Sequence, residues 1–308
     1  MKASVIILGW SLTPVIGEYL VDKTSQVTAY QLSFFRYLIA AITIYIILMV
    51  QRKVTNKEIL SSFKTNWWKY LIVSIFCAFM PVFLFLSVNT TTASTASFLL
   101  NSNVVLIPII SYFVLKERIR KSYFLALVFA LVGLFFVIFD KNILNLSNLP
   151  LGTIEGNLLA FGSGVSWALY TIFLKKFFAK DNPLMVTFIS LFMASIYLVF
   201  FAFLVTPADI SLDLFGVFLL LVIAILGTSF AYSLWLDILS YLTTTETGIL
   251  QVLVPIFSVI WSVAFLEEGK ELTYFFGIGA FLIIISIIVF EFERGRAKFP
   301  KIEENKEN

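Results

Sequence analysis

The sequence contains no histidine and a single cysteine, Cys77, among its 308 residues. One cysteine cannot form an intramolecular disulfide, and it cannot build the cysteine and histidine ligand sets of zinc sites. The lack of histidine also removes the usual general base of nucleophilic catalysis. We therefore expect no metal site, no catalytic residue and no cofactor, and the sequence indicates a protein that is not an enzyme.

Charged residues are also scarce, at 13% of the chain, whereas 60% of the residues are hydrophobic and the mean hydropathy is +0.96. No soluble domain could keep that much apolar surface away from water. An apolar run of about 20 residues crosses the core of a bilayer, and the sequence contains ten such runs. These observations predict an all-α polytopic membrane protein with ten transmembrane helices in a lipid bilayer. The net charge of +3 is spread over short loops, so we expect no nucleic-acid partner.

The apolar runs define the expected membrane spans. They lie at residues 3–21, 29–50, 69–88, 95–115, 123–139, 155–174, 184–205, 214–236, 246–266 and 273–291. Basic residues of inner-membrane proteins are retained on the cytoplasmic side. With the N-terminus inside, eighteen of the 22 lysines and arginines fall in cytoplasmic segments, whereas Lys23, Lys141 and Lys270 fall outside. This bias predicts a multi-pass protein of the plasma (inner) membrane with both termini in the cytoplasm.

The second half of the sequence repeats the pattern of the first. Trp10 in GWSLTP matches Trp167 in VSWALYT, and the threonine-rich turn NTTTASTAS matches LTTTETG. The LKE that ends at Glu117 likewise matches the LEE that ends at Glu268. Because each half has an odd number of spans, the second copy is expected to enter the membrane upside down.

This duplication divides the chain into three parts. We expect a first five-helix repeat at residues 1–145, a second, inverted five-helix repeat at residues 150–292, and a charged cytoplasmic tail at residues 293–308. Inverted repeats are typical of secondary transporters, which bind a substrate between the halves and open alternately to each side.

Several short motifs occur in a fixed order along both halves. The first half has GW near its start, FFRYL in the second span and LKER after the fourth, and the second half has SWALYT, TTTETG and QVLVPIFSVIWSVAFLEE. In this order they resemble the EamA type of the drug/metabolite transporter superfamily, over nearly all of residues 4–291. The resemblance implies ten helices around a central cavity and the movement of small metabolites, often outward. Val104 departs from the family pattern, because the usual proline of the fourth span appears one turn later as Pro108.

Polar residues in the fourth and ninth spans are the first candidates for a binding cavity. Ser97, Asn101 and Pro108 recur at helical spacing, and Gln251 and Pro255 repeat the pattern, so each set is expected on one face of a helix. A polar face inside lipid must line a bundle interior or a cavity. Amide side chains both donate and accept hydrogen bonds, which suits a zwitterionic solute. Hydrogen bonding between helices is the alternative role of both amides.

Aromatic residues complete the expected cavity. Trp10 and Trp167 stand at matching positions of the two halves, and tyrosines on neighbouring spans offer further apolar walls with a polar edge. Trp235 lies near the end of its span, where we predict an interfacial anchor. The expected cavity residues are Trp10, Ser97, Asn101, Trp167, Tyr170, Tyr232 and Gln251.

Four residues are candidates for gating. Glu18 and Arg36 are charged groups inside adjacent spans, and an ion pair between them would lower the cost of burying both. A proton-coupling role of Glu18 is the alternative. Pro108 and Pro255 each interrupt the backbone hydrogen bonds and free a carbonyl that could face a cavity. Hinges at the two prolines are the hypothesis, and simple packing kinks are the alternative.

These features predict a secondary transporter that moves a small organic metabolite across the inner membrane by alternating access. The resemblance implies an amino acid or a related compound, moved outward. A flippase for a lipid-linked intermediate is the main alternative, followed by an intramembrane enzyme. The sequence leaves open whether transport is coupled to protons and whether the protein is a monomer or a homodimer.

Overall fold

The computed structural model describes residues 2–51, 54–88, 90, 99–117, 121–139, 153–205, 209–265 and 274–298. Within these ranges the regular secondary structure is helical throughout, and no strand occurs in them. The expected all-α class is therefore confirmed.

The helices follow one another with short connections. In chain order they are α1 (Lys2–Glu18), α2 (Ala29–Val50), α3 (Asn56–Val88), α4 (Asn103–Val114), α5 (Lys121–Phe139), α6 (Ile154–Phe178), α7 (Pro183–Val199), α8 (Leu214–Ala224), α9 (Ala231–Leu239), α10 (Thr244–Leu250), α11 (Leu253–Phe265) and α12 (Tyr274–Lys298). Among the described residues, three π-helical segments accompany them: Tyr19–Lys23 follows α1, Phe200–Val205 follows α7, and Ile225–Phe230 joins α8 to α9.

Polar residues set the points at which several helices begin. Thr28 and Gln31 form a capping box at the start of α2, in which each side chain bonds the backbone N–H of the other residue. The side chain of Asn182, just before α7, accepts hydrogen bonds from the backbone N–H groups of Leu184 and Met185. Pro183 follows it, and the ring of a proline suits the first position of a helix. The starts of these spans are thus fixed by local sequence.

Apolar helices among the described residues lie at the positions of the expected spans. Six are long and apolar enough to cross a membrane: Lys2–Val21, Ala29–Val50, Asn56–Leu84, Ile154–Phe178, Pro183–Val205 and Leu214–Leu239. Four shorter apolar helices lie at the remaining spans: Asn103–Val114, Tyr123–Val137, Glu246–Ser258 and Tyr274–Val289. The exposed surface fits a lipid environment, because large apolar side chains such as Phe113, Leu158 and Phe281 are more than half exposed.

The helices expected at 95–115 and 246–266 are each interrupted by a turn within the described residues. Asn101 and Ser102 form a turn before α4, and Gln251 and Val252 form a turn between α10 and α11. In the first turn Asn103 donates its side-chain amide to the carbonyl of Leu100 at 2.8 Å, so a side chain competes with the helix backbone.

The second turn has a different local cause. Pro255 has no N–H to bond the carbonyl of Gln251, four residues earlier, and the proline ring crowds that carbonyl. The Gln251 carbonyl instead accepts the N–H of Val254 at 2.9 Å, in a tighter turn.

Two helices extend beyond the expected spans. α3 begins at Asn56 rather than at residue 69 and has a kink at Asn66, where φ is −118° and ψ is 20°. α12 continues to Lys298, so the tail expected at 293–308 begins as helix. The expected limits followed the apolar runs, whereas a helix continues through charged residues with good helix propensity.

The two halves of the chain pack against each other. α2 lies against α7 and α5 against α12, so the second span meets the seventh and the fifth meets the tenth. α1 contacts α11, and α4 contacts α6, so the contact of the first span with the ninth has a counterpart between the sixth and the fourth. Such reciprocal pairing is what a two-fold relation between two similar units produces.

Candidate functional site

Both helix breaks converge on the middle of α6. The first break, at Asn101 and Ser102, packs closely against Gly164. A Cβ added at Gly164 would lie 2.7 Å from the carbonyl oxygen of Leu100 and 2.7 Å from Oγ of Ser102. Glycine is therefore required there for the close approach. At the second break the side chain of Gln251 accepts a hydrogen bond from Nε1 of Trp167, at 2.9 Å. Gly164 and Trp167 are one helical turn apart, so α6 brings the two breaks to nearly the same depth.

Tight backbone turns place Asn101 and Gln251 at these breaks. The N–H of Val104 bonds the carbonyl of Asn101 at 3.1 Å, and the N–H of Val254 bonds that of Gln251 at 2.9 Å, so both carbonyls are bonded three residues on. The two amides therefore lie in turns rather than on one continuous helical face. Ser97, expected on the same face as Asn101, lies outside the described residues.

Four of the expected cavity aromatics meet in one cluster beside the second break. The rings of Trp10 and Trp167, at matching positions of the two halves, are perpendicular with centroids 5.1 Å apart. Tyr232 packs edge-on against Trp167 at 5.7 Å, and Tyr170 lies 5.3 Å from the same tryptophan. Trp167, Tyr170 and Tyr232 are all buried. The structure thus brings together four aromatic residues from α1, α6 and α9.

Trp235 belongs to the same cluster, and its expected interfacial position is wrong. Its side chain is 1% exposed, and its ring centroid lies 5.2 Å from that of Trp10. Trp235 and Tyr232 are three residues apart on α9 and thus share one face of that helix. That spacing was the signal in the sequence that could have identified Trp235 as a cavity residue.

A second network extends from the cluster to α2. The hydroxyl of Tyr37 lies 3.1 Å from the hydroxyl of Tyr232 and donates to the carbonyl of Cys77 at 3.3 Å. Arg36 is buried, and its guanidinium carbon lies 5.0 Å from the ring centroid of Tyr37. Arg36 was selected from the sequence, but the adjacent Tyr37 was missed. Adjacent residues of a helix point in different directions, so the choice of one does not indicate the other.

The expected gating residues are described in part. The side chain of Glu18 lies outside the described residues, so its pairing with Arg36 stays a prediction. Pro108 has no N–H for the carbonyl of Val104, and the hydroxyl of Tyr123 on α5 donates to that carbonyl instead. The carbonyls freed by Pro108 and Pro255 are therefore both hydrogen-bonded within the protein, and a hinge at either proline stays a prediction.

A polar cluster at one end of the bundle joins α4, α6 and the start of α10. We call Glu117, Lys175, Leu242 and Thr244 the Glu117 cluster. Glu117 Oε1 lies 2.8 Å from Nζ of Lys175, with side chains 15% and 18% exposed. Glu117 Oε2 accepts the N–H of Thr244 at 3.0 Å and its hydroxyl at 2.7 Å. Lys175 also donates to the carbonyl of Leu242.

The same end of the bundle holds two further polar contacts. Lys2, at the start of α1, pairs with Asp237 near the end of α9. Thr243 and Glu246 form a capping box at the start of α10, with bonds of 2.8 and 3.1 Å. The charge distribution of the sequence predicts that the helix ends in the Glu117 cluster and in these two contacts lie on the same side of the membrane.

With this geometry established, comparison with known proteins identifies the class. The model of the EamA-like transporter family matches the chain twice, over residues 2–139 and 154–292. The chain belongs to the EamA-like transporter family. The resemblance noted in the motifs is thus confirmed, and each match covers one half of the EamA-like architecture described above.

Proteins similar to this chain are described as transporters. The chain is 26% identical to the uncharacterized transporter YetK of Bacillus subtilis (strain 168) over 314 residues, which cover 99% of this chain and 89% of YetK. It is 24% identical to the uncharacterized transporter YyaM of the same organism over 304 residues, or 96% of this chain and 95% of YyaM. A solved crystal structure shares the fold, with a TM-score of 0.75 and 17% identity over 97% of this chain and 100% of that one. The protein is therefore a multi-pass membrane transporter of the EamA-like family.

Proposed function

We propose that the protein is a secondary transporter that moves an amino acid or a related small metabolite outward across the plasma membrane by alternating access. The convergence of both helix breaks on α6, beside the aromatic cluster, carries this proposal. Interrupted helices near the bilayer midplane, at the interface of two repeats, are where many secondary transporters bind their substrates.

The aromatic cluster supplies the walls of the binding site. Its rings come from α1, α6 and α9 and therefore from both halves of the chain. A rocking movement of one half against the other would change the distance between Trp10 and Trp167, and this would enlarge or close the site. Asn101 and Gln251, in the two turns, are the polar contacts of the solute in this proposal.

The charge distribution orients the transporter with the Glu117 cluster on the cytoplasmic side and the two halves as inverted repeats. Lys175 and Thr244 lie in the second half, and Glu117 in the first, so their hydrogen bonds close the cytoplasmic end. Opening toward the cytoplasm requires these bonds to break. The cavity bounded by Trp10, Trp235 and Gln251 has a volume of about 10 Å³, which is room for about one water molecule and fits a closed state.

Counterflow of labelled L-amino acids and common metabolites in proteoliposomes tests the proposal. We expect one solute to accumulate with the wild-type protein and its accumulation to fall at least about tenfold in Asn101→Ala and Gln251→Ala. Gln51→Ala is the matched control, because it removes an exposed amide at the end of α2 and should leave accumulation unchanged. Circular dichroism and size-exclusion profiles establish that the variants are folded.

Two results would contradict this function. Accumulation that is unchanged in both amide variants would remove the two turns from the binding site. A broad panel of water-soluble solutes with no accumulation would overturn metabolite transport, and translocation of a fluorescent lipid-linked sugar in the same vesicles would then identify a flippase.

A further inference from the structure

Three residues that line the cavity beside the second break each have a buried nitrogen that lacks a hydrogen-bond partner within the described part of the chain. Trp10, Trp235 and Gln251 line it, together with apolar residues of α1, α9, α10 and α11. Nε1 of Trp10, Nε1 of Trp235 and Nε2 of Gln251 are buried and lack a hydrogen-bond partner among the described residues. All three are N–H donors and none can accept a hydrogen bond.

The orientation of the Gln251 amide follows from its neighbour. The indole Nε1–H of Trp167 can donate but not accept, so it must face the oxygen of Gln251, at 2.9 Å. The amide nitrogen is therefore turned away from Trp167. Gln251 is 7% exposed and Trp235 is 1% exposed, so neither donor can be satisfied by bulk solvent in this state.

Unpaired donors in an apolar pocket are costly, since each loses its hydrogen bonds to water and gains nothing in return. The hydrogen bond from Trp167 accounts for the oxygen of Gln251, but it does not account for the nitrogen of Gln251, which is unpaired within the described ranges, or for the indole N–H groups of Trp10 and Trp235. An acceptor brought by a solute would satisfy the donors. The contrast with Trp261 is direct, because its Nε1 donates to Oγ of Ser11 at 3.0 Å within the protein.

The number of donors narrows the chemistry of that acceptor. A single carbonyl oxygen has two lone pairs, whereas the three nitrogens carry four N–H bonds, because the Gln251 amide has two of them. A carboxylate has two oxygens with about four lone-pair sites, and its charge shortens and strengthens each hydrogen bond. An ammonium group has donors alone and would find no partner among these N–H donors.

We propose that Trp10, Trp235 and Gln251 form a subsite that binds the carboxylate of the transported solute. The proposal rests on the proposed transport function and specifies which end of the solute faces these residues. In this proposal Trp10 and Trp235 of the aromatic cluster donate hydrogen bonds to the solute in addition to forming an apolar wall.

A matched series of small probes tests the subsite without knowledge of the substrate. Sodium propionate, propionamide and propylammonium chloride share a three-carbon skeleton and differ in the group that would meet the donors. Tryptophan fluorescence of the purified full-length protein, at constant ionic strength, is titrated with each. We expect propionate to bind at least about tenfold more tightly than propylammonium, with propionamide between them.

Variants assign the effect to the three donors. Trp235→Phe and Trp10→Phe keep an aromatic ring and remove the N–H, so each should lower propionate binding about tenfold and leave propylammonium unaffected. Trp261→Phe is the control that also removes an indole N–H, but one that already has an acceptor in the protein. It should leave the order of the three probes unchanged.

The outcomes separate this inference from the transport function. Equal binding of the three probes, or a preference for propionate that survives in Trp10→Phe and Trp235→Phe, would overturn the subsite. The inference would also be overturned if the solute found by counterflow has no carboxylate or is displaced equally well by its decarboxylated analogue. Counterflow that fails while the propionate preference holds would overturn the transport proposal and retain the subsite.

Discussion

Two polar regions along α6 are built in opposite ways. At the end of the helix, Lys175 pairs with Glu117, whose second carboxylate oxygen accepts two hydrogen bonds from Thr244. About two turns earlier, at Trp167, the neighbouring cavity is lined by Trp10 and Gln251, whose side-chain nitrogens lack partners among the described residues.

If the proposed subsite is correct, pairing separates the structural polar groups of this protein from its binding groups better than burial does. A buried polar group that is hydrogen-bonded within the protein stabilises one arrangement of helices. A buried donor without a partner lowers stability until a ligand supplies the acceptor. The Glu117 cluster is therefore expected to govern stability and closure, and the cavity to govern recognition.

The largest effect on stability is expected from Glu117→Ala. This change leaves Lys175 and the N–H of Thr244 without their partner, and it should lower the free energy of unfolding by about 3 kcal/mol. Thermal unfolding of the purified protein in detergent measures the loss. Lys176→Ala, which removes an exposed neighbouring charge, is the control that should have no effect. Equal melting temperatures for Glu117→Ala and wild type would contradict the expectation that the Glu117 cluster stabilises the fold.

Gly164→Ala should disturb both regions, since α6 carries them. Its Cβ would lie 2.7 Å from the carbonyl oxygen of Leu100, and the repacking should cost about 2 kcal/mol. The same thermal unfolding assay applies, with Gly277→Ala as the matched control. Nothing lies within 4 Å of the Cβ position at Gly277, so alanine should be neutral or stabilising in that helix. A Gly164→Ala protein as stable as wild type would contradict the close contact between the first break and α6.

A pair of tyrosine variants isolates the effect of pairing. Tyr37→Phe removes a hydroxyl that bonds Tyr232 and the carbonyl of Cys77, and should lower the free energy of unfolding by about 1 kcal/mol. Tyr170→Phe removes a buried hydroxyl without a partner among the described residues and should leave stability equal or slightly higher. Urea titration followed by tryptophan fluorescence compares the two. The distinction fails if Tyr170→Phe is the more destabilising change.

The smallest effect is expected at Asp181, an exposed residue with a partly buried carboxylate in the connection between α6 and α7. Burial raises its pKa above the ordinary value, although the charge of Lys69 opposes the shift. An acid whose pKa is higher in the folded state gains stability as pH falls, because the folded protein binds the proton more tightly. Between about pH 6 and about pH 4, wild type should therefore gain slightly in melting temperature relative to Asp181→Asn. A relative loss in that range would contradict the sign of the shift.

Part of the candidate site was predictable from the sequence. The matching motifs of the two halves and the polar residues inside apolar spans indicate several of its residues. Trp10 and Trp167 were paired by their matching motifs, and the structure places their rings in contact. Gln251 was selected as a polar residue inside an apolar span, and it bonds Trp167. Trp235 was misplaced, because its position near the end of a span did not reveal that α9 packs within the bundle.

By itself the sequence determined the class of the protein. Its long apolar runs require membrane-spanning helices, and the matching motifs of its two halves predict a duplicated transporter fold. Only the tertiary structure decided which polar groups are paired, because Glu117 meets Thr244 and Gln251 meets Trp167 across large separations in the chain. Hydrogen bonding depends on distance and direction to within a fraction of an ångström. Helical periodicity fixes the face on which a residue lies, whereas the packing of α4, α6 and α10 fixes the group that it meets.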